Sequence, residues 1–140
     1  MEIRCELVRI MITETGDHQV IVLKEAGGER SFPIVIGFFE AAAIDRRIKG
    51  HVLPRPMTHD LLGSVIEAMG GRLAKIVVTD LKEHTFYASL IIERNGDRVI
   101  VDARPSDAIA LAVAGNTPIY VEDRILDEVA GPGSGLGFNP

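Results

Sequence analysis

The chain contains no tryptophan and one cysteine, and aromatic residues fill only 5% of its 140 positions. A single cysteine excludes an internal disulfide and a zinc site built from several thiolates. Cys5 stands in an apolar alternation and reads as a buried, inert thiol. Long apolar runs are missing too. No stretch of about 18 apolar residues occurs, so the sequence offers no membrane-spanning helix. Glu2, Arg4 and Glu6 break up the first residues and leave no apolar segment for a signal peptide, which makes the cytoplasm the expected location. There is no excess of positive charge. A formal net charge of −5 excludes a protein that coats nucleic acid by bulk electrostatics, although it leaves room for a local basic patch.

What remains is the composition of a soluble globular domain, 46% hydrophobic and 25% charged, long enough for a real core. Residues 3–13 alternate as a strand does, but Ile3, Cys5 and Leu7 give way to Val8, Ile10 and Ile12. A period-two strand changes face through a bulge or where both sides are buried, so a bulge is expected near Leu7 and Val8. Thr15-Gly16-Asp17 marks a turn, 20–23 a second strand, and 32–36 a third that Pro33 assigns to an edge or a strand end. Residues 40–49 read as a helix with Ala41, Ile44 and Ile48 on one face and Gly50 just past its end. Thr58 is the expected N-cap of another helix, with Leu61, Leu62, Val65, Ile66 and Met69 as its core face and Gly70-Gly71 as its stop.

Strands follow at 73–79 and 86–92. Asn95-Gly96, where both positions tolerate positive φ, makes a hairpin of the latter with 99–101. A helix ended by Gly115 comes next, then a short strand at 119–121 and a last helix capped by Asp123 and carrying Ile125, Leu126 and Val129. Residues 131–140, four glycines and two prolines among them, read as a disordered tail after a domain at 1–130. The order of elements is three strands and a helix, an extra helix, then three strands and a helix again. Gly28-Glu29-Arg30 recurs as Gly96-Asp97-Arg98, and Glu40-Ala41-Ala42-Ala43-Ile44 as Asp107-Ala108-Ile109-Ala110-Leu111, at offsets close to half the chain. The expected fold is therefore α+β: duplicated β-β-β-α units with an extra central helix and a short C-terminal strand and helix.

Polar chemistry is concentrated at Asp102-Ala103-Arg104-Pro105-Ser106-Asp107, between an apolar strand and a helix. Proline fits a first helical turn, and Ser106 is a better N-cap by residue type than Arg104. Arg55-Pro56-Met57-Thr58-His59-Asp60 opens the middle helix in the same way: Arg-Pro, then a hydroxyl, then an acid. Converging helix starts would gather Arg55, His59, Asp60, Arg104, Asp107 and Asp102. Such a set suits a divalent metal on carboxylate oxygens, with Asp102, Asp107 and Asp60 as ligands, arginines on a phosphate and His59 as base. The opposing reading is structural: acids in a first turn are favoured by the helix dipole alone, and Glu40 and Asp107 are then twins of the duplication. Arg46, Arg47, Lys49, His51 and Arg55 form a local positive stretch, either a phosphate track or an ordinary solvated helix end.

These stretches resemble the bifunctional nuclease domain family, formerly a domain of unknown function. The matching residues are Pro33-Ile34-Val35-Ile36-Gly37 with Glu40-Ala41, Arg55 through Leu62, Lys82 through Ala88, and Asp102 through Ala112. The resemblance implies a compact α+β domain that pairs as a homodimer and hydrolyses DNA and RNA. It points to Glu40, Arg55, His59, Asp60, Asp102, Arg104, Ser106 and Asp107 as site positions. Two functions are weighed. One is a nuclease assisted by Mg²⁺ or Mn²⁺, with His59, Asp60, Asp102, Asp107 and Glu40 catalytic and Arg55, Arg104, Ser106, Arg46, Arg47 and Lys49 holding substrate. The other is a non-catalytic homodimeric binding or assembly module whose polar cluster is structural. Free carboxylates pointing into one pocket would favour the first, and acids consumed by Arg104 and Arg55 would favour the second.

Overall fold

A computed structural model describes residues 1–13, 16 and 18–130. Two of the three residues of the expected turn at Thr15-Gly16-Asp17, and the whole expected tail at 131–140, lie outside the described residues. The elements in chain order are β1 (Glu2–Met11), β2 (Gln19–Glu25), β3 (Ser31–Ile36), α1 (Phe38–Ile48), α2 (Thr58–Ala68), β4 (Gly71–Lys82), β5 (Thr85–Arg94), β6 (Asp97–Ala103), α3 (Pro105–Gly115), β7 (Ile119–Glu122) and α4 (Asp123–Ala130). Seven strands form one mixed sheet in the order β3-β2-β1-β7-β4-β5-β6. Each half of the chain supplies an antiparallel three-stranded meander followed by a helix, and the short β7 joins the meanders, antiparallel to β1 and parallel to β4. The fold is the expected α+β class.

Local chemistry explains the joints. The phase change in β1 is a bulge: Leu7 faces Leu23 and Arg9 faces Val22, which leaves Val8 unpaired. β3, with Pro33, is indeed an edge strand. Gly50, at φ +73°, ends α1 in a Schellman motif, its N–H bonded to Arg47 O at 3.1 Å and the His51 N–H to Arg46 O at 3.0 Å. Asn95 and Gly96, both at positive φ, close the β5–β6 hairpin. The β4–β5 hairpin turns on Glu83 and His84, also both at positive φ.

The core lies between the sheet and its helices. α3 runs through its middle with Ala108, Ile109, Ala110, Leu111 and Ala112 buried, packing against α1, α2, β4 and β5. α4 adds Ile125, Leu126 and Val129 over β3 and β7, each side chain contributing about 1.5–3 kcal/mol by burial. Arg30 fastens the β2–β3 hairpin to α4 through Glu25 at 2.9 Å, Asp123 at 3.0 Å and Asp127 at 2.7 Å. Cys5 is buried, and burial is the largest cause that pushes its thiol up to about 11, as expected of an inert side chain.

Two expectations about helices are corrected. None of the residues of α2 is buried; Leu61, Leu62, Val65 and Met69 are all exposed, Leu61 at 55% and Met69 at 59%. The helix is laid down on its other side, where His59, Asp60, Gly63 and Ile66 are half-buried. Helix starts are corrected as well. The N-caps are Met57 for α2 and Arg104 for α3, with Pro105 at N1, so neither Thr58 nor Ser106 caps a helix. Asp60 does that work in α2, its Oδ2 accepting the Met57 N–H at 3.1 Å.

Candidate functional site

The starts of α1, α2 and α3 each carry an acid at the third helical position: Glu40, Asp60 and Asp107. Asp60 folds back on its own helix start, whereas Asp107 reaches across to α2. His59 Nε2 lies 3.0 Å from Asp107 Oδ1. Arg104 Nε donates to Asp107 Oδ2 at 3.0 Å, and its Nη2 donates to Glu40 Oε1 at 2.8 Å. The result is a chain of four charged or titratable side chains, His59–Asp107–Arg104–Glu40, running from α2 through α3 to α1. Gly37, the N-cap of α1, leaves the space that the Glu40 carboxylate fills: a Cβ there would collide with Glu40 Oε2.

Electrostatics follow this geometry. Burial pushes the Asp107 carboxyl up, but the hydrogen bonds from His59 and Arg104 outweigh it and hold the group below its ordinary value. The Arg104 guanidinium is raised, first by its bond to Glu40 and then by Asp107. Both Asp107 oxygens are thus engaged and a cation already sits between the two acids. Among the described residues no three His, Cys, Asp or Glu side chains gather as an ion would require. Asp102 stands on the exposed edge strand β6, and Asp60 is held by Met57. The expected ligand set Asp102, Asp107 and Asp60 is therefore not assembled, and the donors present do not fit a divalent ion.

Beside His59 opens a groove of about 540 Å³ between α1, the 49–57 connection, α2 and α3. Arg46, Arg47, His51, Arg55, His59 and Arg72 line it, against Asp60 and Glu67. Most of the positive stretch read from the sequence therefore faces one cavity. Lys49 does not: it pairs with Asp45 at 3.0 Å and is not among the groove-lining residues. Arg47 also donates to Ala114 O at 2.8 Å, complementing the C-terminal end of α3. Ser106 is 6% exposed and does not line the groove. Glu40, Arg104 and Asp107 lie behind His59 and do not line the groove. Arg72 was missed by sequence reading. It lies on β4, and only the packing of α2 against that strand brings it to the groove.

A family model described as the bifunctional nuclease domain matches residues 21–132. An uncharacterized protein of Mycobacterium tuberculosis (strain ATCC 25618 / H37Rv) is 45% identical over 120 residues, which is 86% of this chain and 71% of the relative. Bifunctional nuclease 2 of Arabidopsis thaliana is 30% identical over 108 residues, 74% of this chain but 33% of that protein. Bifunctional nuclease 1 of Oryza sativa subsp. japonica is 26% identical over 120 residues, 83% of this chain and 36% of its own length. The chain thus spans about a third of these two plant relatives.

Proposed function

Because the chain belongs to the bifunctional nuclease domain family, we propose that it hydrolyses phosphodiester bonds of DNA, RNA or both, with the reaction centred on His59. The observation that carries this reading is the His59–Asp107 hydrogen bond of 3.0 Å at the wall of a groove rich in arginine. Asp107 fixes the imidazole with its proton on Nε2, which leaves Nδ1 a lone pair to accept the proton of an attacking water. Arg55 and Arg46 meet the phosphate charge from the groove wall. Arg104 is a positioning residue: held by Glu40, it keeps the Asp107 carboxylate turned toward His59.

We place the protein in the cytoplasm as a homodimer. No helix among the described residues is long and apolar enough to cross a membrane. The apolar side of α2 and the Val99-Ile100-Val101 run of β6 are exposed in the single chain and support self-association. A second reading, a binding module without catalysis, is favoured by one observation: Arg104 ties α1 to α3 as a structural clamp does.

Cleavage of single-stranded and duplex DNA and RNA separates the two readings, assayed with Mg²⁺, Mn²⁺, Ca²⁺ or a chelator. The wild type is expected to cleave, and a folded His59→Ala variant to lose about 10²–10⁴-fold in rate. Equal cleavage by both proteins would move the chemistry away from His59, and no cleavage under any condition would leave the binding module.

A further inference from the structure

The two ends of the sheet differ in what they offer a further strand. At the β3 end the hairpin closes with Glu25 N–H on Arg30 O at 2.9 Å. Counting along the antiparallel register places Pro33, opposite Val22, at a position whose backbone faces outward. The residue without an N–H therefore sits where an incoming strand would need a donor. At the β6 end the two-residue Asn95-Gly96 turn makes Arg94 and Asp97 the closing hydrogen-bonded pair. The same count leaves the N–H and C=O groups of Arg98, Ile100 and Asp102 pointing outward. All three residues are exposed, Ile100 at 64%, and their side chains share one face of the sheet. No ion pair or side-chain hydrogen bond among the described residues engages Arg98 or Asp102.

We infer that β6 is the dimer edge of this protein: a second copy adds its own β6 antiparallel, centred on Ile100, so that Arg98 lies opposite the partner's Asp102 and Asp102 opposite the partner's Arg98. The inference rests on the homodimer reading above and names its surface and register. The strand Asp97-Arg98-Val99-Ile100-Val101-Asp102-Ala103 is self-complementary about its middle residue. Centring on Ile100 matches outward backbone groups with outward backbone groups, sets Val99 against the partner's Val101, and pairs both charges twice over. Centring on Val99 leaves Arg98 opposite the partner's Ile100. Centring on Val101 sets Asp102 against the partner's Ile100 and Arg98 against the partner's Arg104. Only the Ile100 register satisfies the charges. The edge is seven residues long with an apolar centre, Val99-Ile100-Val101, and it carries neither the proline nor the lysine that commonly keeps an edge single.

The test uses sedimentation velocity of the full chain over a concentration series, with Arg98→Glu, Asp102→Arg and their equimolar mixture. Each single variant sets like charges opposite one another twice and is expected to weaken the dimer at least ~10-fold. The mixture is expected to recover wild-type affinity, because each strand then meets its charge complement. Amide hydrogen exchange of the wild type supplies a readout independent of substitution: Arg98, Ile100 and Asp102 should gain protection as the dimer forms, while Val35 on the far edge should not. A wild type that is monomeric throughout would overturn the homodimer reading and this one with it. A wild-type dimer indifferent to both substitutions, a mixture that fails to recover, or unprotected β6 amides in the dimer would overturn the β6 register and leave self-association standing through another face.

Discussion

α2 and α3 begin on the same pattern, an Arg-Pro pair followed by a hydroxyl and an acid, yet they settle in opposite surroundings. α3 buries seven of its eleven residues and α2 none. The bulky side chains are on the wrong helix for a simple hydrophobic argument: α2 turns leucines and a methionine to solvent, while α3 fills the core largely with alanine. Close approach explains the difference. α3 is wedged between the sheet, α1 and α2, where small side chains let three neighbours come near. α2 lies on top, touching α3 where Gly63 meets Leu111. Their acids divide in the same way. Asp60 satisfies its own helix start, whereas Asp107 reaches out to the other helix and holds its histidine.

That contrast is broken most sharply by trimming one buried and one exposed side chain. Ile109, fully buried in α3, should cost about 2–5 kcal/mol on substitution to alanine, from lost burial and the cavity left behind. Val65→Ala on α2 should stay within about 0.5 kcal/mol in dilute, monomeric protein. Urea denaturation at low protein concentration measures both, and equal losses would mean that α2 is as deeply packed as α3. A smaller effect is expected at the helix start. Asp60→Ala should cost about 0.3–1.5 kcal/mol and speed exchange of the Met57 amide, which the carboxylate now accepts; an unchanged Met57 exchange rate would show that Asp60 caps nothing.

Much of this was legible in the residues themselves. The bulge at Val8, the edge position of the Pro33 strand, the Asn95-Gly96 hairpin and the glycine end of α1 all follow from local backbone rules, which need no tertiary information. α2 was misread because hydrophobic size was taken as a sign of burial, and an apolar stripe that stays exposed looks the same in sequence as one that serves a core. Ser106 was misplaced as a cap for a related reason. Residue preference favoured it, but Pro105 suits the first helical turn, which fixes Arg104 as the cap and sends Ser106 inward. The Glu83-His84 turn carried no glycine or asparagine to announce it. At the site, the shared Arg-Pro motif announced that His59 would meet Arg104 and Asp107, but not that Glu40 would join them. The way Arg104 divides the acids was not legible, because pairing across helices depends on distances that spacing does not encode.

The last expected effect concerns acid. In the folded protein the Asp107 carboxyl is held below its ordinary value by His59 and Arg104 against the opposing pull of burial. A group depressed on folding adds stability that is fully present above its unfolded value of about 3.9 and is lost as pH falls through the folded value. The acid limb of the stability curve should therefore steepen below about pH 4, and Asp107→Asn should flatten it. The carboxyl is a third exposed, so the contribution should remain under about 1 kcal/mol. Carboxyl-carbon NMR gives a direct check on its cause. Arg104→Ala and His59→Ala should each move the Asp107 titration upward, and with both donors gone burial alone should carry it above the ordinary range. A titration unmoved by either substitution would separate Asp107 from α2 and leave its likeness to Asp60 intact.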